Sequence, residues 1–136
     1  MAISDLLRQT VVGRADNRCE YCLISQSAQE ARFHIDHIIP QSAGGPTTME
    51  NLALACVTCS LRKTARKTAR DAETSWDVPI FNPRLDRWHD HFSLDGVKIL
   101  GTTPTGRATA EALQFNRRHA LDIRTEEQLR GRFPPV

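Results

Sequence analysis

The sequence predicts an α+β protein: a small core stapled by a four-cysteine metal site, with an N-terminal helix and a C-terminal extension built of a hairpin and helices. Three observations predict it. Two C-x-x-C pairs, Cys19/Cys22 and Cys56/Cys59, bracket a segment of short β-rich runs. Helical patterns stand at the start of the chain and directly after the second pair. A hairpin signal and two more helical patterns occupy the remainder. The 136 residues suit one small core with an extension. A core of that size gains from a metal staple. The expected division is 1–72 for the stapled core and 73–136 for the extension, packed on or beside it.

In chain order, Ser4 caps a helix through Leu6, Leu7 and Val11, with Gly13 near its end. "ADNR" (15–18) turns into the knuckle "CEYC" (19–22), and "SQSAQEAR" (25–32) is a polar loop. "FHIDHIIP" (33–40) is β-rich and stops at Pro40; Gly44-Gly45-Pro46 marks a turn. "MENLALAC" (49–56) reads as a second extended segment. From Ser60 to Ala72 the pattern predicts a helix, with Leu61, Ala65, Ala69 and Ala72 on one face and Arg62, Arg66 and Arg70 on another. "WDVPIFNPRLDRW" (76–88) is expected to cross the surface in extended form. "FSLDGVKIL" (92–100) reads as a hairpin with a type I′ turn at Asp95-Gly96, pairing Leu94 with Val97 and Phe92 with Ile99. Trp88 and Phe92 should pack that hairpin on the core. Thr105 caps a helix to about Phe115, a last helix runs from Arg117 to Arg130, and "RFPPV" is a frayed end.

Hydrophobic content of 40% and charged content of 25% are ordinary for a globular chain, and a net charge of +2 says little about partners. The local distribution says more. Arg62, Lys63, Arg66, Lys67 and Arg70 follow one another with no acid between them. No stretch is apolar enough to span a membrane, and the start lacks the parts of a signal peptide. The expected setting is a reducing cytoplasm, where paired C-x-x-C motifs point to metal rather than disulfides. Four thiolates in two pairs make a closed tetrahedral site, the structural type of zinc. Unmetallated buried cysteines or redox use are the alternatives.

Between the pairs lies "HIDH" (34–37), three ionisable groups in four residues of a short β-rich run. Such groups are costly to bury without partners. Phosphodiester hydrolysis needs a base that titrates near neutrality, a hard oxygen ligand for a divalent cation, and cations for the flanking phosphates. His37, Asp36 and the run from Arg62 to Arg70 supply those types in order.

"CEYC…FHIDHIIPQSAGGPTTMENLALACVTCSLRK", about residues 19 to 63, resembles the HNH endonucleases, the ββα-metal nucleases, in their zinc-bound form. The resemblance implies a metal-dependent endonuclease that nicks or cleaves DNA, double-stranded DNA being the expected partner. It implies His37 as general base, Asp36 as ligand of a catalytic Mg²⁺ or Mn²⁺, and Asn51 as a brace of the loop that orients the histidine. The third letter departs from the family: histidine or asparagine usually follows the last cysteine, and here Ser60 stands there. A hydroxyl is a weak neutral ligand. Ser60 binds the ion directly or through water, or His34 supplies the missing donor. In a regular strand His34 and Asp36 share a face that His37 does not, so Asp36 and His37 meet only where the strand twists, bulges or ends. Two other readings stay open: a catalytically weak, zinc-stapled nucleic-acid-binding module, and an RNA-directed nuclease.

Overall fold

The computed structural model describes residues 3–135. Helix α1 (Asp5–Arg14) starts where Ser4 accepts a hydrogen bond from the Leu7 amide, and runs one residue past Gly13. Strands β1 (His34–His37) and β2 (Leu52–Ala55) form an antiparallel pair in which His34 faces Ala55 and Asp36 faces Ala53. Small alanines opposite the two polar residues leave room on that face for α2 (Val57–Lys63), which brings Ser60 to His34 and Lys63 to Asp36. Helix α1 packs against β2 as well, and all four residues of β2 are buried.

The helix expected over 60–72 is corrected at both ends. It begins at Val57, capped by Cys56, and stops at Lys63, because Thr64 turns the backbone to φ 47°. Residues Thr68–Arg70 instead form β3, antiparallel to β4 (Asp77–Pro79). Ala69 is buried against Val78, Ile80 and Ala108, while Thr68 and Arg70 are exposed, the alternation of a half-buried strand. Tertiary pairing overrides the helical tendency of the alanines. The cations at 62, 66 and 70 therefore do not share one helix face. Nor does 76–88 simply cross the surface, for Val78, Ile80 and Phe81 enter the interior.

A short helix α3 (Trp88–His91) leads into the hairpin of β5 (Phe92–Asp95) and β6 (Lys98–Gly101). Leu94 pairs with Ile99 and Phe92 with Gly101, so the loop is Gly96-Val97, not Asp95-Gly96. Positive φ at the first loop position, 61° at Gly96, follows the II′ pattern. The register moves by two residues, which preserves the face, and Phe92 and Ile99 are both buried. Trp88 stacks near Phe92 with ring centroids 4.9 Å apart. Helix α4 (Pro104–Ala112) is capped by Thr103 rather than Thr105, with Pro104 at its first position. Helix α5 (Arg118–Leu129) closes the fold. The tail after it is not frayed: Phe133 is buried, and Arg132 pairs with Glu127 at 2.6 Å. Val136, the last letter of that tail, lies outside the described residues.

Among the described residues the larger of two core clusters draws on both halves of the chain. Val11, Phe33, Leu52 and Leu54 cluster with Phe81, Phe92, Ile99, Leu113 and Phe115. No helix among the described residues is long and apolar enough to cross a membrane.

Candidate active site and metal centre

The metal centre is built from two matching turns. Cys19 and Cys22 sit in a knuckle closed by Cys19 N–H to the Ile24 carbonyl, 2.9 Å, with Leu23 at φ 69°. Cys56 and Cys59 sit at the first turn of α2. In each pair the amide of the later cysteine lies 3.4 Å from the earlier sulfur, positioned to donate to a thiolate. All four sulfurs are buried and lie within 4.8 Å of one another. The Cys22 and Cys56 sulfurs are 3.7 Å apart. A tetrahedron with metal–sulfur bonds of about 2.3 Å has edges of about 3.8 Å, so the donor set fits one zinc ion with no open position. Burial pushes the Cys19 thiol up, whereas hydrogen bonding with Cys19 pulls Cys22 and Cys56 down.

On the other side of β1 and α2 a cleft of about 490 Å³ is lined by His34, Asp36, His37 and Ser60, with Arg8 from α1 beside them. His37 is the last residue of β1, and there the strand's end lets it share a cleft with Asp36. Its Nε2 lies 2.9 Å from the Thr47 hydroxyl. Burial pushes the His37 pKa down, against the pull of the Asp36 carboxylate, which favours the neutral imidazole. Asn51 braces the loop that follows. Its side chain accepts from the Ile39 amide at 2.8 Å and donates to the Ile39 and Pro46 carbonyls at 3.0 and 2.9 Å. Gly45 closes this brace, since a Cβ there would stand 1.8 Å from the Ile39 carbonyl oxygen.

Asp36 is buried and already engaged. It accepts from the Tyr21 hydroxyl at 2.8 Å and pairs with Lys63 at 3.1 Å. Burial pushes its pKa up, and Lys63 pulls it back. Lys63 also donates to the His37 and Ile38 carbonyls at 3.1 and 3.2 Å, so all three of its donors are used inside the protein. Lys63 is thus corrected from a phosphate contact to an internal clamp. Arg62, Arg66, Lys67 and Arg70 remain exposed. His34 Nδ1 lies 2.8 Å from the Ser60 hydroxyl. Among the described residues, no three of the His, Asp or Glu side chains in this cleft converge as metal ligands. The cleft's one carboxylate is held by an ammonium, so a hard dication would take Asp36 as a ligand only by displacing Lys63 from it.

Three contributors lay outside the reading of the sequence: Tyr21, Thr47 and Arg8. Tyr21 had a visible signal, an aromatic between two cysteines. Thr47 and Arg8 had none, since their roles depend on tertiary approach.

Two antiparallel strands, a helix across one face and a four-thiolate cluster are the arrangement that the resemblance to the ββα-metal nucleases implies for this segment. Comparison with protein families agrees: residues 19–66 match the family described as HNH endonuclease. Over these residues the chain is similar to the HNH endonucleases, which suggests a nuclease-type function on nucleic acid. Helix α1 and everything after Arg66 lie outside the match. No curated protein and no solved structure matches the chain significantly.

Proposed function

We propose that the protein is an endonuclease that hydrolyses phosphodiester bonds of DNA, nicking or cleaving a duplex, with His37 as general base. The observation that carries this reading is the placement of His37 within the HNH match. It is a half-buried imidazole at a strand end, fixed through Nε2 by Thr47, facing a cleft that Arg8 also lines. Neutral His37 accepts a proton from water, the oxygen attacks phosphorus in line, and the bond to the 3′-oxygen breaks, that oxygen leaving with a proton from solvent. Arg8 faces the charge that builds on the phosphoryl oxygens. Arg62, Arg66 and Lys67 hold flanking phosphates.

Dependence on Mg²⁺ or Mn²⁺ belongs to the same reading. His34 and Ser60 are the donors at hand, and Asp36 joins them only by leaving Lys63. That locked carboxylate favours the second reading, a nucleic-acid-binding module with weak catalysis.

Supercoiled plasmid separates the two. We expect wild-type protein to nick it in Mg²⁺ or Mn²⁺, and EDTA and His37→Ala to stop the reaction. Equal inertness of wild type and His37→Ala in both metals, with both still binding DNA, leaves the binding module. A structured RNA in place of the plasmid tests the nucleic-acid type.

A further inference from the structure

The turn that leaves β1 forms one side of a second groove, of about 330 Å³, between the HNH domain and the extension. Buried Ile38 and Ile80 line its base. Ile39 and Leu85 stand at its mouth, 44% and 83% exposed, as large apolar side chains with no covering element. Arg66 and Lys67 line it as well, exposed and without a carboxylate in ion-pair range among the described residues. Asp86, the acid on this wall, accepts from the Asn82 amide at 2.9 Å.

We propose that this groove receives an unstacked base of the strand whose phosphate lies at His37, so that the protein prefers nucleic acid with an unpaired nucleotide there over a continuous duplex. The inference rests on the proposed function for the position of that strand. Continuity supports it, for Ile38 and Ile39 follow His37 directly. Two residues of chain reach at most about 7 Å, the rise of about two nucleotides in a duplex at about 3.4 Å each. The chemistry agrees. A base out of its stack presents apolar faces, which aliphatic walls accept, and the cations at the rim meet its flanking phosphates. The volume lies at the small end of ligand pockets, which run from about 300 Å³; it suits one base rather than a helix or a domain edge.

The test uses full-length His37→Ala protein without added divalent ions, so that binding is read apart from cleavage. Fluorescence anisotropy compares a continuous duplex with the same duplex carrying a one-nucleotide bulge of 2-aminopurine. We expect the bulged probe to bind about tenfold tighter, with the fluorescence of the base responding on binding. Leu85→Ser and Ile39→Ser should each remove most of that preference and leave duplex affinity within about twofold. Leu85 lies outside the core, so its variant folds whatever the groove binds. Equal affinity for the two probes overturns the groove and leaves the nuclease reading standing. Failure to bind either probe overturns both. If Leu85→Ser changes the oligomeric state but not the preference, the groove joins copies of this chain, and the proposal falls.

Discussion

Lys63 organises this site more than any other single residue. Its ammonium is buried against Asp36 and ties down the carbonyls of His37 and Ile38 at the strand's end. Burying two charges costs several kcal/mol that their attraction only partly offsets, and removing one partner leaves the other uncompensated. Lys63→Ala should therefore destabilise the fold by about 3–5 kcal/mol in urea unfolding. The double variant Lys63→Met with Asp36→Leu should recover much of that loss. A single-variant cost below about 1 kcal/mol would mean that the pair is solvated and not a clamp. His37 makes a second prediction. Its pKa is pushed down by burial, and a general base works unprotonated, so the acid limb of kcat/KM should lie below the ordinary histidine value of about 6.5. Thr47→Val should lower kcat with little change in KM, by about fivefold if one ordinary hydrogen bond is lost. A pH profile with its acid limb above 6.5, or a Thr47→Val variant of full activity, would remove Thr47 and the buried imidazole from the account. At this scale the cysteines, His37 and Asn51 were legible because each sits in a short motif with fixed spacing. Lys63 was misread because charge alone does not reveal burial.

At the scale of elements, the errors share one cause. The run from Leu61 to Ala72 satisfies a helical spacing, yet three of its residues equally satisfy the period of two that β3 uses. Nothing local distinguishes these, and the deciding partner, β4, lies several residues downstream. The hairpin was legible as an element, but not in its register, because glycine serves at the first position of a II′ turn as well as in a I′ turn. The zinc knuckles were legible because two tight turns are encoded by the cysteine spacing itself. They also carry the element-scale prediction. Four buried sulfurs within 4.8 Å of one another repel as thiolates unless a cation joins them, so the protein should contain about one zinc per chain, and chelation should abolish cooperative unfolding. Metal analysis and thermal melts with and without a strong chelator read both. A chain that holds no zinc and melts unchanged after chelation would leave the four thiols as plain core residues.

For the whole molecule, the extension is not an accessory to the HNH domain but its second half. It grips the first knuckle at three successive residues. Arg84 pairs with Glu20, the Trp88 indole donates to the Tyr21 carbonyl at 2.9 Å, and Arg124 donates to the Cys22 carbonyl at 3.3 Å. Arg124 is fully buried and makes no ion pair with a carboxylate among the described residues. A zinc ion held by four thiolates carries a net charge of −2, which supplies the anion that a buried guanidinium needs. The hydrophobic core divides the same way, with Phe81, Phe92, Ile99, Leu113 and Phe115 packed on residues of the first half. A chain ending at residue 72 would expose the faces these side chains cover and leave the knuckle ungripped. We therefore expect residues 1–72, expressed alone with zinc, to bind the metal but to lack cooperative unfolding and dispersed amide resonances. Adding 73–136 in trans should restore both in part. In the full chain, Arg124→Met should lower zinc retention under chelator competition more than an exposed arginine variant such as Arg118→Met does, because Arg124 reaches the knuckle and Arg118 pairs with Asp122 instead. A 1–72 fragment that folds cooperatively by itself would show that the extension is a separate domain and that its three contacts are incidental.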